Sequence, residues 1–299
     1  MKKTLEEIIK GKLPQTKEFS EIKKGFSEEK KYLINTIDKK YLLRESGNDN
    51  FINKKKEFDL VRKCFEIDVK CNKPVEIFEN NKSVFSLYEY IEGKDGELVI
   101  ADIDLDMQFT IGMEAGIDLK KINSIKSSDD CDWLERKWKK HEYYLHEYRK
   151  MEYKLPNDLQ IIDFIAKNYG KIRLENDYFQ HDDFHLGNII ISNNRYGGVI
   201  DFNRYDWGDP LHEFVKMEVF SHGFSKEFVK GQIYGYFGTN KIDEEVVLTI
   251  SIYVAMSLFS MVVWTLKNYP KTFPYIEQII NRICMNYSYF NKLKPEWAI

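Results

Sequence analysis

The sequence predicts an α+β protein, with a small antiparallel sheet in its N-terminal third and a mostly helical remainder. Two observations support this fold class. Residues 19–45 and 75–93 alternate short β-prone runs with charged turns, as paired strands do. Beyond residue 95, apolar side chains recur at the spacing of amphipathic helices. Because the periodicity changes once, we expect residues 1–92 to form one unit and residues 93–299 another.

The N-terminal elements follow from local patterns. Residues 19–45 contain three β-type runs, FSEIKKGFS, KKYLINTI and KKYLLRES, with a turn at Asp38 between the last two. Residues 50–68 place apolar side chains along one stripe, as an amphipathic helix does. The run VEIFENNKSVFSLYEYIEG predicts a hairpin that turns at Asn80 and Asn81. We therefore expect an antiparallel sheet with one helix in this part of the chain.

The C-terminal part is helical except in its middle. Residues 104–125 and 133–153 carry helical periodicity, whereas residues 178–202 predict two short strands around an Asn- and Gly-rich turn. Residues 246–266 are uncharged over 21 positions, which meets the length rule for a membrane span. Five serines and threonines dilute the apolarity of this segment. We therefore expect it to be a buried helix of a helical domain.

Composition and charge exclude some classes of protein. The 299 residues, 43% hydrophobic and 15% aromatic, suit a globular chain of about two domains. The 45 basic and 48 acidic residues give a net charge of −3, which provides no general attraction to nucleic acid. Residues 1–92 hold 20 basic and 17 acidic side chains, so the remaining 25 and 31 give the second part a charge of −6. Such a bias would suit a cationic partner.

The cysteines and the N-terminus indicate a reduced, cytoplasmic protein. The start MKKTLEEIIKGK has no apolar core of a signal peptide. The four cysteines form no CxxC pair and have no neighbouring histidine pattern, and they are widely spaced at Cys64, Cys71, Cys131 and Cys284.

The stretch HDDFHLGN, which begins at His181, concentrates ionisable side chains before the apolar run IIIS. Three interpretations compete: a metal site, a phosphoryl-transfer loop and an ordinary polar turn. On an extended strand His181, Asp183 and His185 would face one side, as metal ligands might. This first interpretation gives no role to Asn188, or to Asp201 at the end of the next apolar run.

Phosphoryl transfer gives both of these residues a role. It needs an aspartate that orients a substrate hydroxyl and accepts its proton, and an amide and a second carboxylate that hold Mg²⁺ against nucleotide phosphates. Asp183 and Asn188 are five positions apart, as in the D-x-x-x-x-N loop of kinases, and Asp201 follows thirteen positions later. The spacing therefore favours this interpretation.

HDDFHLGN and VIDFNRYDWGDP together resemble the catalytic and metal-binding segments of the aminoglycoside phosphotransferase family. This kinase-like family also includes macrolide, choline and homoserine kinases. Its pattern is H-x-D-x-x-x-x-N, then I-D-F or I-D-W, then G-D-P, and each element occurs here in order. The segments KYLLRES, KKKEF and SLYEYIEG fall where the family's smaller lobe and hinge would place them. The resemblance implies a protein-kinase-like two-lobe fold, with residues 1–92 as a nucleotide-binding N-lobe and residues 93–299 as a C-lobe.

The resemblance also implies roles for single residues. Asp183 would be the catalytic base, and Asn188 and Asp201 would hold Mg²⁺. In the C-lobe, helices would build the substrate pocket. The positions implied to bind the nucleotide are Arg44, Glu57, Ser27, Glu89, Tyr90 and Ile91.

These nucleotide-binding positions differ in what supports them. Arg44 stands where kinases carry a lysine that contacts the phosphates, with Glu57 as its ion-pair partner, and Lys40 is a rival for the same contact. An exposed Arg44–Glu57 pair without function is the alternative. Ser27 lies in a segment that only loosely matches a nucleotide-covering hairpin. By the resemblance, backbone groups of Glu89, Tyr90 and Ile91 meet the nucleotide base at the hinge.

Asp182 departs from the family pattern, in which a small residue is common. Its side chain would face either a cationic substrate or solvent. Asp209 and Pro210 predict a helix start, with Asp as the N-cap, and we expect them, with His181, to brace the loop.

We therefore expect an Mg²⁺-dependent phosphotransferase that moves the γ-phosphate of ATP or GTP to a hydroxyl of a small molecule. A cationic acceptor would suit the charge of the second part of the chain. Aminoglycoside antibiotics are the first candidates. The alternatives are a metabolic kinase of the choline, homoserine or sugar type, a nucleotide-binding regulator without turnover, and a metal-dependent hydrolase. Neither nucleic acid nor a membrane is an expected partner, and the sequence does not specify an oligomeric state.

Overall fold

The computed structural model describes residues 4–23, 29–47, 51–80, 83–128, 131–174 and 177–298. Within them, the N-terminal elements are α1 (Leu5–Lys12), β1 (Thr16–Ile22), β2 (Lys30–Thr36), β3 (Lys40–Gly47), α2 (Phe51–Glu66), β4 (Pro74–Asn80) and β5 (Ser83–Glu89). The strands form one antiparallel sheet in the order β1-β2-β3-β5-β4. This arrangement confirms the predicted three strands and the hairpin of β4 and β5.

The prediction of one helix beside this sheet is wrong, because α1 is a second one. A capping box starts α1: the Thr4 hydroxyl accepts a hydrogen bond from the Glu7 N–H, and the Glu7 carboxylate accepts one from the Thr4 N–H. Ile8 and Ile9 are buried against the sheet, where they meet side chains such as Leu43. The T-x-x-E signal of the capping box is visible in the sequence and was overlooked.

The central strands of the sheet are covered on both faces. Side chains alternate along a strand, so Leu43 of β3 packs towards α1 while Leu42 packs towards α2. On α2, Phe58, Val61 and Cys64 are buried in the same apolar cluster as the helices of the C-terminal part. One continuous core therefore joins the two parts of the chain.

The C-terminal elements are β6 (Lys94–Asp95), α3 (Gly96–Val99), α4 (Leu105–Ile122), α5 (Trp133–Arg149), α6 (Asp158–Asn168), β7 (Tyr178–Gln180), β8 (Ile189–Ser192), β9 (Arg195–Val199), β10 (Asp206–Gly208), α7 (Phe214–Phe220), α8 (Lys226–Phe237), α9 (Glu244–Asn268) and α10 (Phe273–Asn286). The predicted hairpin of β8 and β9 is confirmed. Strand β6 extends that hairpin, and β7 pairs with β10. These three short strands were not predicted, because two or three residues carry no readable alternation.

Helices α4 and α8 pack with their backbones in close contact. A Cβ atom on Gly112 would lie 2.0 Å from the carbonyl oxygen of Phe228, and one on Gly116 would lie 2.1 Å from that of Gln232. On α8, Gly231 would clash in the same way with α4. Small residues on both helices therefore set their separation.

Residues 246–266 lie within α9, and the prediction of a buried helix is confirmed. Ile250, Tyr253 and Val254 are fully buried. Among the described residues, α9 is the one helix long and apolar enough to cross a membrane, and 67% of its most apolar window is buried inside the fold. Its apolarity thus serves the core of the helical part.

Candidate active site

The stretch that begins at His181 is an irregular loop between β7 and β8, and it ends in a 3₁₀ turn, Leu186–Asn188. His181 is fully buried, and burial lowers the pKa of its ring. Its Nε2 donates to the Ile200 carbonyl at 3.0 Å, and its Nδ1 accepts from the Asp183 N–H at 3.2 Å. Both ring nitrogens therefore brace the loop, as expected, and neither can bind a metal. The described residues contain no cluster of three or more metal-binding side chains.

The Asp183 carboxylate is surrounded by donors. Its Oδ1 lies 3.1 Å from Nζ of Lys216 and 3.7 Å from Nε2 of His185. Its Oδ2 accepts a hydrogen bond from Asn188 at 3.2 Å and lies 3.9 Å from Nε of Arg204. Burial by itself raises the pKa of Asp183, but the contact with His185 and the charges of Lys216 and Arg204 outweigh it and hold the pKa well below its usual range. Asp183 is therefore ionised at any working pH.

The neighbouring Asp182 faces a different set of side chains. Its φ of 55° is left-handed, so the two carboxylates diverge because of this turn rather than the strand alternation that the sequence suggested. Its Oδ1 lies 3.2 Å from Nδ1 of His212, and its N–H donates to the Glu213 carboxylate at 3.1 Å. On the far side of the imidazole, Nζ of Lys137 contacts Nε2 of His212. Asp182 thus meets protein side chains rather than open solvent, and a cationic substrate at this residue stays a prediction.

The charges around Asp182 compensate one another. Burial raises the pKa of Asp182, but contact with His212 and the charges of Lys216 and Lys137 lower it to about 2. Burial lowers the pKa of Lys137 to about 7 and that of His212 to about 4. At neutral pH the ionised Asp182 carboxylate is therefore offset by the charge of Lys216 and in part by that of Lys137, while the His212 ring is neutral.

Asp201 follows β9 in a left-handed conformation with φ of 68°. Its Oδ2 lies 3.5 Å from Nζ of Lys31, and its Oδ1 lies 3.6 Å from Nη2 of Arg44. This Oδ1 is buried, and no described residue hydrogen-bonds to it. The Ile200 N–H donates to the Asn188 carbonyl at 2.9 Å, which holds the two predicted metal ligands side by side.

Arg44 forms the predicted pair with Glu57. Nη1 of Arg44 donates to Glu57 at 3.1 Å and Nε donates to Glu29 at 2.8 Å. Burial lowers the pKa of Arg44, but the charges of Glu57, Glu29 and Asp201 outweigh it and raise the pKa. Since only 8% of Arg44 is exposed, the alternative of an exposed surface pair is wrong.

The rival cation, Lys40, lies elsewhere. Its Nζ forms an ion pair with Glu92 at 2.6 Å, and 40% of its side chain is exposed. Ser27, the remaining N-terminal candidate, lies outside the described residues.

A cavity of about 260 Å³ connects Arg44 and Asp201 with the hinge. Tyr90 and Ile91 line it, whereas the Glu89 side chain pairs with two lysines, and the Glu89 carbonyl accepts from the Asn72 side chain at 3.0 Å. The other lining residues are Ile22, Lys31, Leu42, Val61, Asn72, Tyr88, Gly93, Asp95, Gly187, Asn188, Ile190, Ile200 and Phe202.

Two lysines of the site were missed in the sequence. Lys31 pairs directly with Arg44 across β2 and β3, so it lies beside Arg44 in the sheet. The residue that faces Lys31 depends on the pairing register of the two strands, which the sequence of one strand does not specify. Lys216 interrupts the otherwise apolar start of FVKMEVF, and a charge at that point was the available signal.

The Asp209–Pro210 start is confirmed as a brace. The Asp209 carboxylate caps the 3₁₀ turn Pro210–Glu213 by accepting from the Leu211 N–H at 2.9 Å. It also accepts from the Tyr253 hydroxyl of α9 at 2.7 Å. Burial raises the pKa of Asp209 to about 6. The buried helix α9 thereby fixes the segment that follows Asp201.

The donor set fits a magnesium ion held together with phosphates. Mg²⁺ prefers oxygen ligands and is usually bound by one or two carboxylates plus substrate phosphates. Asp201 offers a buried oxygen that no described residue hydrogen-bonds. Asn188 donates its amide N–H groups to Asp183, which directs its carbonyl oxygen away from that residue. A site of one carboxylate and one amide is completed by a nucleotide.

Comparisons with solved structures reveal the same fold in several phosphotransferases. Aminoglycoside phosphotransferase APH(2'')-Ib in its ADP-bound form is 18% identical, with a TM-score of 0.64 and 98% of each chain covered. A thermostable mutant of APH(4)-Ia, in ternary complex with ADP and hygromycin B, is 12% identical, with a TM-score of 0.67 and coverage of 95% of this chain and 98% of that one. Spectinomycin phosphotransferase APH(9)-Ia, in complex with ADP and spectinomycin, is 11% identical, with a TM-score of 0.61 and 92% coverage of each chain.

No curated protein sequence matches the chain. At such low identity the structural neighbours establish the fold alone. The sequence model of the phosphotransferase enzyme family (APH) matches residues 18–245, which is most of the chain. The matched range contains the loop of Asp183 and the segment of Asp201, and the protein therefore belongs to the phosphotransferase enzyme family.

Proposed function

We propose that this protein transfers the γ-phosphate of ATP or GTP to a hydroxyl of a small molecule, with Mg²⁺ as the metal. The observation that carries this proposal is the convergence of three side chains: Asn188 and Asp201 line the cavity, and Asn188 hydrogen-bonds the Asp183 carboxylate beside it. An acceptor-orienting carboxylate beside a two-residue metal site is what phosphoryl transfer requires. Neighbours of the same fold bind ADP, which supports a nucleotide in this cavity.

The proposed nucleotide lies between an N-lobe of residues 1–92 and a C-lobe of residues 93–299. Its base would lie near Tyr90 and Ile91, and its phosphates near Lys31 and Arg44, since all four residues line the cavity and the latter two lie beside Asp201. Glu57 would keep Arg44 in place through their ion pair. Of the three hinge positions, Glu89 would contribute through its backbone.

In the proposed reaction, the acceptor oxygen bonds to the γ-phosphorus while the bond to the β,γ-bridging oxygen breaks, and the nucleoside diphosphate leaves. The hydroxyl proton passes to the Asp183 carboxylate and then to solvent. Because the pKa of Asp183 is so low, this carboxylate contributes more by orienting the hydroxyl than by binding its proton. Asn188 and Asp201 would hold Mg²⁺, which neutralises charge on the phosphates when bound.

The acceptor is the open part of the proposal. Neighbours of this fold bind hygromycin B, spectinomycin and gentamicin, and aminoglycosides are therefore the first acceptors to test. The Asp182 carboxylate is already offset by Lys216 and in part by Lys137, which removes one reason to expect a cationic acceptor. Metabolic acceptors such as homoserine and sugars therefore belong in the same test. A role in antibiotic resistance follows only if an aminoglycoside is the substrate.

We place the protein in the cytoplasm. Cys64, Cys71 and Cys284 are free, buried thiols, which suits a reducing compartment. The apolar helix α9 is mostly covered by the rest of the fold.

A screen tests the proposal directly. Thermal melting is recorded with MgATP, MgGTP and each nucleotide in EDTA, and nucleotide consumption is then followed with hygromycin B, gentamicin, spectinomycin, choline, homoserine and sugars. We expect stabilisation by a magnesium nucleotide and a phosphorylated product from at least one acceptor. Asp183→Asn, prepared in parallel, reports any contaminating kinase. Stabilisation by a nucleotide without its consumption with any compound would indicate a nucleotide-binding regulator, and the absence of both would show that the proposed function is wrong.

A further inference from the structure

Lys216 lies against the candidate catalytic carboxylate, and the mechanism given above assigns it no role. It belongs to α7, in which Phe214, Val215, Met217, Glu218 and Val219 are at most 4% exposed. The Lys216 side chain is itself only 19% exposed, and its Nζ lies 3.1 Å from Oδ1 of Asp183. Placing a lysine in such a helix costs desolvation and side-chain entropy. The cost is offset by a partner, and that partner is Asp183.

Four side chains face the Asp183 carboxylate, from three parts of the chain. His185 and Asn188 come from the same loop, Arg204 follows Asp201, and Lys216 comes from α7. Arg204 is 55% exposed and 3.9 Å away, so solvent screens it. Lys216 is therefore the closest and best shielded cation at this carboxylate.

The backbone that carries Lys216 is anchored by the residues that follow it, in and just after the C-terminal half of α7. The Ser221 hydroxyl, which follows the helix, accepts from the Leu186 N–H of the catalytic loop at 3.1 Å. Glu218 is fully buried and accepts from Arg282 at 2.9 Å and from Trp297 at 3.1 Å. A side chain on such an anchored element holds its partner with little freedom, as catalytic positioning requires.

We propose that Lys216 is a positioning residue of the phosphoryl transfer, a role that rests on the proposed function. Its ammonium group fixes the Asp183 carboxylate in the orientation that accepts the acceptor hydroxyl. That hydroxyl lies about 2.6–3.2 Å from the carboxylate during transfer. Since Nζ is 3.1 Å from the same carboxylate, its positive charge also lies close to the oxygen atoms of the transferring phosphoryl group.

The transfer step itself is unchanged. The acceptor oxygen bonds to the γ-phosphorus of MgATP, the bond to the bridging oxygen breaks, ADP leaves and the proton goes to Asp183. Lys216 stays protonated throughout and forms no covalent bond. Its removal should therefore lower the rate of transfer without removing the nucleotide site.

The experiment compares Lys216→Met, which keeps the aliphatic stem, with Lys216→Arg, which keeps the charge. Lys121→Met is the matched control, because Lys121 forms a 3.0 Å ion pair with the buried Asp118 away from the site. The reaction followed is release of ADP from MgATP, with water as acceptor and with hygromycin B, gentamicin and spectinomycin added in turn. Thermal melting establishes that each variant is folded, and Lys216→Gln replaces Lys216→Met if the latter is not.

We expect Lys216→Met to lower kcat at least about tenfold, as part of the 10²- to 10⁴-fold that an oriented base provides. The KM for MgATP should stay within about twofold, since Lys216 meets Asp183 rather than the cavity. Lys216→Arg should recover most of the rate.

Two other results overturn the assignment in different ways. If the parent protein releases ADP but Lys216→Met falls no further than Lys121→Met, Lys216 is structural only and the phosphotransferase proposal stands. If the parent protein releases no nucleoside diphosphate from MgATP or MgGTP with any acceptor of the full screen, choline, homoserine and sugars included, the proposed function fails, and the role of Lys216 fails with it.

Discussion

The two aspartates near Asp183 have different surroundings. Asp201 lies on the side of the cavity, and Asp182 lies on the opposite side, called the far side below. On the cavity side, Asp201 has a buried oxygen that no described residue hydrogen-bonds. Its nearest cations, Lys31 and Arg44, remain 3.5 and 3.6 Å away. A buried carboxylate oxygen in this state is costly unless a further partner arrives. The proposed magnesium ion would supply that partner.

On the far side, Oδ1 of Asp182 is also buried without a hydrogen bond from a described residue, but the chain already supplies charges that compensate it. Asp182 lies 3.2 Å from His212, and the charges of Lys137 and Lys216 lower its pKa to about 2. The two aspartates on either side of the candidate base thus have different roles. Asp201 remains available to a ligand, and Asp182 holds the loop. The following predictions test this difference.

The largest expected effect is on Asp183 itself. Asp183→Asn should cut kcat by roughly 10²- to 10⁴-fold, because the amide cannot orient the acceptor hydroxyl in the same way. Nucleotide affinity should change little, since the residue faces the acceptor. The measurement is steady-state kinetics with whichever acceptor the screen delivers.

Asp182→Gly is the matched neighbour for that test. Glycine tolerates the left-handed φ of 55°, so the backbone should survive the change. We expect mainly a change in acceptor KM, because the loss of Asp182 loosens His212 and Lys137. An equal or larger loss of kcat in Asp182→Gly would mean that the wrong carboxylate was chosen.

The second prediction concerns magnesium. Asp201→Ala should weaken MgATP binding on the order of 10²-fold, since even outer partners of a metal ligand contribute 10- to 100-fold. ATP in EDTA should bind the parent and the variant alike. Calorimetric titration with and without Mg²⁺ measures both values. Undiminished MgATP binding by Asp201→Ala would show that the metal, if present, is held elsewhere.

The third prediction uses the pH dependence of stability. Burial lowers the pKa of His212 from 6.5 to about 4. Between these values the unfolded chain binds a proton that the folded chain excludes, so stability is full above pH 6.5 and is lost as pH falls towards 4. From pH 7 to 5 this amounts to about 2 kcal/mol.

His212→Gln should remove the part of the stability loss that comes from His212. Urea unfolding at pH 7 and pH 5 measures this difference in the free energy of unfolding. The exposed His146 on α5 gives the control variant, His146→Gln, which should behave as the parent does. Identical losses in His212→Gln and the parent protein would mean that His212 titrates normally, and that the far side is not as closed as its contacts indicate.

The smallest effect is expected at Arg44. Lys in its place keeps the charge but cannot reach Glu29 and Glu57 with one planar group. Arg44→Lys should raise the KM for MgATP by roughly tenfold, the equivalent of one hydrogen bond to a charged group. Lys40→Met is the control, because Lys40 pairs with Glu92 instead. If Lys40→Met raised the KM for MgATP more than Arg44→Lys does, Lys40 rather than Arg44 would be the phosphate contact.

The sequence by itself determined the elements and residues whose signals are local. The helix at residues 51–66 and the hairpins β4–β5 and β8–β9 follow from periodicity and turn residues. The loop that carries Asp183 and Asn188 runs directly into β8, and Asp201 directly follows β9, so their spacing along the chain was enough to bring them together. Even the overlooked helix α1 carried a local signal in its capping box.

Only the tertiary structure decided which side chains surround these carboxylates. Lys216 reaches Asp183 across 33 positions, and Lys137 reaches His212 across 75. Lys31 comes to Asp201 from the N-terminal sheet. Backbone periodicity encodes how each segment folds, but the partner of a charged side chain depends on how separate elements pack. The sequence therefore identified the candidate base and the candidate metal ligands. Only the packing determined that Asp201 keeps its nearest cations at 3.5 and 3.6 Å and that Asp182 contacts His212.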